Sequence, residues 1–361
     1  MNKIYSLVLF CCMNISLGAS AQNVPSAQQD RAPRVSLVSQ EFIFTTGEFF
    51  DQCHASTMEF SSNGELLASW FAGSHEGAGD VAIYGSRLVN GAWSEPEIWA
   101  DGVVNDTLGY PCWNPVLFRA KNENTIYLYY KVGPNPREWW GMVKSSSDGG
   151  RSWSSAKRLP QGILGPIKNR PYELADGTII SPSSVELSEE RWVAHVEISR
   201  DQGKSWQAYP IDHASEFNAI QPSIVQQGGP KSPLQVFCRS KEGVVTSSVS
   251  SDGGKSWSKM QKTGLINPNS GTDAIAINGV YYIVYNPDIP GKDWWEGRSK
   301  LRLAYSLDQG QSWQDIYSFE DQQKGEYSYP TIIKGADGTI HVSYTYDRKN
   351  IRHFVLRLEQ N

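Results

Sequence analysis

Ser306-Leu-Asp-Gln-Gly-Gln-Ser-Trp313 is a short stretch that this chain writes four times. The other copies run Ser146 to Trp153, Ser199 to Trp206 and Ser250 to Trp257, all on the pattern Ser-x-Asp-x-Gly-x-x-Trp. Their aspartates, Asp148, Asp201, Asp252 and Asp308, fall 53, 51 and 56 residues apart, which is the mark of a repeat architecture. Short polar Ser and Asp side chains hydrogen-bond the backbone N–H groups of a tight connection. Gly supplies a left-handed position, and Trp folds back over the turn. Such a turn clasps a hairpin once per structural unit. It reads as scaffold, not as a reaction centre.

Between the clasps lie short β runs such as Thr125 to Lys131, Gln235 to Arg239, Val280 to Tyr285 and Ile340 to Tyr346, rich in β-branched and aromatic residues. No amphipathic helix of three turns is legible, so the chain is expected to be all-β. A unit of roughly 50–60 residues holding four strands has the size of a propeller blade. About 340 residues then predict a six-bladed β-propeller formed as a single domain over residues 22–361. Ser86 and Trp93 keep the outer spacing of a degenerate fifth clasp. The sixth blade is expected to close by pairing a C-terminal strand near 353–356 with an N-terminal one around Ser36 to Ile43, which removes free sheet edges.

Residues 1–21 read as an export leader: Lys3, a mostly apolar stretch from Ile4 to Leu17, then Ala19-Ser20-Ala21 before Gln22. The expected location is secreted or periplasmic, with no membrane insertion. After cleavage three cysteines remain, Cys53, Cys112 and Cys238, which read as buried thiols, with one bridge left open. The chain has 33 basic and 38 acidic residues, a balance that offers nothing to nucleic acid or an anionic membrane. Its 13 Trp and 17 Tyr suit a sugar site, because sugar C–H faces stack on aromatic rings. No cofactor fingerprint, phosphate loop or metal-ligand spacing is present.

From about Phe49 onward the chain resembles the sialidase (neuraminidase) superfamily, in its BNR-repeat neuraminidase-like branch. The four clasps match that family's Asp boxes. Further matching segments are Cys53-His-Ala-Ser-Thr57, Glu76-Gly-Ala-Gly-Asp80, Trp113-Asn-Pro115, Gly165-Pro-Ile-Lys-Asn-Arg-Pro171, Asn267 to Asp273 and Glu326-Tyr-Ser-Tyr-Pro330. The resemblance implies glycoside hydrolysis with a Tyr nucleophile in place of a carboxylate, an acid/base carboxyl group, and arginines that clamp a substrate carboxylate. On it, Tyr327 takes the place of the nucleophile, and Arg239 and Arg298 (or Arg302) the places of two clamp arginines. Two features depart from the family pattern. No Arg-Ile-Pro segment supplies a first arginine, and Gln221 stands where a proton-accepting Glu is expected.

The residues themselves nominate further candidates. His54 opens a blade's first strand and can serve as cation or base. Glu76 and Asp80, in a Gly-rich loop, are the acid/base candidates. Lys168 and Arg170, two apart in an extended segment, are expected to face one side and rebuild the carboxylate clamp. Gln221 is a hydrogen-bonding candidate, and Glu186 and His195 are further acid/base candidates. Trp113 and the pairs Trp139-Trp140 and Trp294-Trp295 are candidate sugar platforms. The expected function is an exo-acting glycoside hydrolase releasing a terminal acidic sugar from a glycan or polysaccharide. The alternatives are a uronate-directed lyase, with His54 and Tyr327 as base and acid, and a non-catalytic carbohydrate-binding propeller.

Overall fold

The β-branched and aromatic runs form strands, and Gly, Asn and Asp between them form the turns. In the computed structural model, which describes residues 32–359 except 106, 122, 213, 227 and 294, no helix is formed among the described residues. The leader expected at residues 1–21 lies outside the described residues. Six sheets built on four antiparallel strands follow one another along the chain. Their first strands run Gln52–Phe60, Cys112–Arg119, Tyr172–Glu173, Ala219–Gln226, Asp273–Ile277 and Tyr327–Lys334, and they open blades 1 to 6. The chain is a six-bladed β-propeller. Arg34–Phe42 pairs with Asn350–Glu359 and closes blade 6, with Leu37 opposite Leu356 and Glu41 opposite His353. The ring therefore shuts by strand pairing across the two ends of the domain.

Apolar residues from facing sheets fill the space between blades, as where Leu67, Ile83 and Trp99 of blade 1 meet Leu117, Leu128 and Tyr130 of blade 2. Cys53, Cys112 and Cys238 are free, buried thiols. Near the axis the blades are stitched by polar groups. Asp273 of blade 5 accepts from Ser223 Oγ of blade 4 at 2.8 Å and from the Ile332 N–H of blade 6 at 3.0 Å. Thr331 Oγ1 donates to the Ser56 carbonyl at 2.8 Å, linking blades 6 and 1.

The repeated turns close as their residue types demand. In each, the Gly N–H donates to the Ser hydroxyl, at 2.8 Å for Gly150 and 2.9 Å for Gly254. The Asp carboxylate accepts from the backbone and hydroxyl of a second serine, such as Ser312 at 2.9 and 2.6 Å. Trp206, Trp257 and Trp313 each donate their indole N–H back to the turn's Gly carbonyl. Sequence spacing did not reveal a further role: these glycines sit on the preceding blade. A methyl group on Gly150 would lie 2.5 Å from Leu67 of blade 1, and one on Gly310 would lie 2.9 Å from Phe237 of blade 4. The clasp therefore fixes a turn and an inter-blade contact at once.

One irregularity positions the site. On or just ahead of their first strands, the blades carry a non-glycine residue in the left-handed region: Ala55, Asn114, Lys168, Gln221, Asn269 and Tyr329, with φ between 40° and 69°. The register slips there, for example between His54 and Thr57, Ile220 and Ser223, and Ser328 and Thr331. Each slip is a β-bulge, which breaks the simple alternation of side chains and re-aims them. Gly310→Ala should lower stability by about 1–3 kcal/mol, because φ is +81° and Phe237 blocks the methyl. Denaturant unfolding measures it; an unchanged midpoint would show that the turn does not seat blade 5 on blade 4.

Candidate functional site

Residues from all six blades converge on a cavity of about 840 Å³ at the end of the ring where the inner strands begin. Blade 1 contributes His54 and, from its Gly-rich loop, His75 and Glu76. Trp113 comes from blade 2, Glu186 and Trp192 from blade 3, and Arg239 and Lys241 from blade 4. Asn269, Trp295 and Arg298 reach in from blade 5, and Glu326, Tyr329 and Arg348 from blade 6.

Tyr329 is the centre of this arrangement. Its backbone is left-handed (φ 54°), its half-buried ring packs at the edge of the core while lining the cavity, and its hydroxyl oxygen accepts a hydrogen bond from Arg239. The guanidiniums of Arg239 and Arg298 lie 5.6 and 5.8 Å from its ring centroid, within cation–π range. The His54 ring lies 4.2 Å from it, centroid to centroid. Arg239 also donates to Asn269 Oδ1 at 3.0 Å and more distantly to Gln221 Oε1 at 3.4 Å. Among the described residues no carboxylate reaches ion-pair distance of Arg239.

The other two arginines of the cavity are held by acids. Glu326 accepts from Arg298 at 3.0 Å and from Arg348 at 2.7 Å, and Glu76 accepts from Arg348 at 2.5 Å. Burial pushes the Glu326 carboxyl up, but the Arg348 and Arg298 charges outweigh it and hold it below its ordinary value. The mouth is thus an alternating array of cations and carboxylates, not a purely cationic one. Burial, reinforced by Arg348, Arg298, Arg239 and Lys168, holds His54 well below its ordinary value, so its imidazole is neutral. An imidazolium ringed by four cations is disfavoured, which argues against His54 as a cation and leaves it a weak base. Among the described residues its buried Nδ1 has no hydrogen-bond partner.

Several residues nominated from sequence lie elsewhere. Tyr327 is buried in apolar packing between blades 5 and 6, its ring 4.9 Å from Tyr346, and Tyr329 occupies the cavity position expected of it. The two tyrosines are two positions apart, yet the bulge at Tyr329 sends them to different surroundings. The same irregularity at Lys168 separates it from Arg170. Arg170 lines a smaller cavity of about 250 Å³ at the other end of the inner strands and meets Glu59 at 3.4 Å. Lys168 is fully buried at the axis, donating to Asn169 Oδ1 at 2.8 Å, to the Thr272 carbonyl at 2.7 Å and to the Pro330 carbonyl. Burial pushes its ammonium down to about 8. Lys168 and Arg170 therefore do not form a clamp.

Asp80 is not part of the cavity wall: it staples its own loop, accepting from the Ser74 N–H and hydroxyl, both at 2.9 Å. Trp140 packs against Tyr110 with Arg158 4.8 Å over its ring, away from the mouth. His195 is turned to Glu197 at 3.2 Å. Gln221 is buried just behind Arg239. Trp294 lies outside the described residues, while Trp295 and Trp113 face the cavity. His54, Glu76, Trp113, Glu186, Arg239, Trp295 and Arg298 are brought together.

Tyr329, Arg348, Glu326 and Trp192, with His75, Lys241 and Asn269, line the cavity without being nominated from sequence. The signal for Tyr329 was present: Asn114-Pro115, Gln221-Pro222 and Tyr329-Pro330 place the left-handed residue before a proline in three inner strands. Arg348 sits in a left-handed turn of blade 6 (φ 53°) with no motif around it. Its carbonyl accepts from the Cys53 N–H at 2.9 Å, which sets it beside His54, where the family's first arginine was sought. Among the described residues no group of three His, Cys, Asp or Glu is placed to hold a metal ion.

The sequence profile described as BNR repeat-like domain matches residues 64–342. A sialidase of Bacteroides fragilis (strain YCH46) is 20% identical over 239 residues, which make up 58% of this chain and 42% of that protein. The chain thus spans less than half the length of that curated relative. Among solved structures, a protein of unknown function from Dyadobacter fermentans DSM 18053 superposes with a TM-score of 0.71 at 17% identity, over 91% of this chain and 100% of that one. The Hadza microbial sialidase Hz136 gives 0.73 at 16%, over 89% and 68%. Trypanosoma rangeli sialidase in complex with sialic acid gives 0.63 at 16%, over 91% and 59%. At these identities the likeness establishes the propeller.

Lys168→Met removes the donor shared by the Thr272 and Pro330 carbonyls and should cost about 1–3 kcal/mol of stability. Urea unfolding reads it; a variant as stable as the parent would remove the lysine from the list of groups joining blades 3, 5 and 6.

Proposed function

We propose that this chain, which belongs to the BNR repeat-like domain family, is an exo-acting glycoside hydrolase of sialidase-like type. Its substrate is a glycan or polysaccharide ending in an acidic sugar. The observation that carries the reading is the Arg239–Tyr329 pair. A guanidinium with no carboxylate partner among the described residues faces the open cavity and touches the hydroxyl of a tyrosine held in a strained backbone. Arg239 offers its remaining N–H groups to the sugar carboxylate, assisted by the nearby charges of Arg298 and Arg348. Tyr329 then meets the anomeric carbon, where a neutral oxygen can stabilise or capture developing positive charge without repelling that carboxylate. Trp113 and Trp295 provide apolar faces for the sugar rings. A volume of about 840 Å³ suits a terminal sugar and part of its neighbour. The sialic acid bound to the Trypanosoma rangeli sialidase supports an acidic substrate. The proposal includes export, which rests on the apolar stretch and small-residue site ahead of Gln22.

A panel of fluorogenic acidic glycosides tests the reading. Tyr329→Phe should lose about two orders of magnitude or more in turnover, while Tyr327→Phe, outside the cavity, keeps it within a few-fold. Arg239→Gln should raise KM for acidic sugars selectively. Full turnover by Tyr329→Phe would sink the assignment. Tight binding of an acidic glycan with no cleavage would make the protein a carbohydrate-binding propeller. An unsaturated product, detected by its ultraviolet absorbance, would assign elimination.

A further inference from the structure

We infer that Glu186 is the acid that protonates the departing sugar oxygen, an inference that deepens the hydrolase reading and rests on it. Among the described residues three glutamates line the cavity: Glu76, Glu186 and Glu326. Two of them are committed. Glu326 bridges Arg298 and Arg348 and accepts a further bond from Ser328 Oγ at 3.0 Å, while Glu76 is tied to Arg348. Protonating a carboxylate inside an arginine ion pair would mean giving up that pair. Glu186 differs from both. Among the described residues its carboxyl group has no hydrogen bond or ion pair, although it stands on the cavity wall.

Its setting suits proton transfer. Glu186 ends the strand Ile179–Glu186 and lies opposite Trp192 in the sheet register. The Leu187 N–H donates to the Arg191 carbonyl at 2.9 Å and fixes the turn just beyond it. In a six-membered ring, blade 3 faces blade 6 across the axis, so Glu186 and Tyr329 belong to opposing walls. A sugar seated between them has one face toward Tyr329 and its leaving oxygen toward blade 3. Burial raises the Glu186 carboxyl above its ordinary value against the opposing fields of Arg239, Lys241 and Arg137. Two carboxyl groups with environments that push them apart is the arrangement acid catalysis uses.

The step balances as follows. As the glycosidic C–O bond breaks, its electron pair stays on the leaving oxygen, which takes the Glu186 proton. The resulting carboxylate then takes a proton from the incoming water, whose oxygen bonds the anomeric carbon, and the acid is restored.

The test compares the full-length protein with Glu186→Gln and Glu76→Gln on one acidic sugar carrying aryl leaving groups of graded acidity. Thermal unfolding confirms that each variant is folded. Glu186→Gln should lose about 10²–10⁴-fold on the poorest leaving group and little on the best. The alkaline limb of its pH–rate profile should vanish, and added azide should restore turnover on the activated substrate. A loss that is equal across the series, or a leaving-group dependence that appears in Glu76→Gln instead, overturns the assignment. That outcome beside an active parent and an inactive Tyr329→Phe removes the acid alone. A parent that cleaves no acidic glycoside brings down the hydrolase reading, and the acid with it.

Discussion

The site depends on a backbone irregularity repeated around the ring. A regular strand sends residues i and i+2 to the same face, so an unbroken inner strand would have paired Tyr327 with Tyr329 and Lys168 with Arg170. The left-handed residues at Lys168, Gln221 and Tyr329 interrupt that alternation near the mouth. Such a conformation costs of order 1–3 kcal/mol for a non-glycine side chain and persists only where its surroundings enforce it. Here the enforcement is visible. The Lys168 ammonium holds the Pro330 carbonyl immediately after Tyr329, and Asp273 accepts the Ile332 N–H two residues further on. Gly271 leaves room for the ring: a methyl there would lie 3.3 Å from Tyr329 Cγ and 3.2 Å from Lys168 Cε.

Charge is distributed by the same logic. Arg298 is almost fully buried, and a buried charge needs a partner; Glu326 supplies it and draws in Arg348 as well. Arg348 in turn restrains the Gly-rich loop of blade 1 through Glu76. The network ties blades 5, 6 and 1 together and leaves Arg239 of blade 4 as the arginine whose contacts are neutral groups. Neutral contacts orient a guanidinium without satisfying its charge. An incoming carboxylate therefore gains more at Arg239 than at an arginine already neutralised.

Much of the scaffold was legible along the chain because its determinants are local. The Ser-x-Asp-x-Gly-x-x-Trp turn is closed by hydrogen bonds spanning two to four residues, so its spacing alone announced the blades. The strand that shuts blade 6 followed from the need to hide a sheet edge. The clasp glycines are recognisable as turn residues from their spacing, yet their seat against the preceding blade is a contact more than 50 residues away in sequence, and no local pattern records it.

The sequence by itself determined the repeat, the number of blades and the residue types available for chemistry, because hairpin turns and alternating apolar strands are written in short windows. Only the tertiary structure decided which of those residues share a cavity. A bulge of one residue exchanges Tyr327 for Tyr329 and parts Lys168 from Arg170. A turn with no motif brings Arg348 to the place where an arginine was missing. Orientation around a propeller axis is set by register and by contacts between distant blades, and those quantities exist only once the ring is closed.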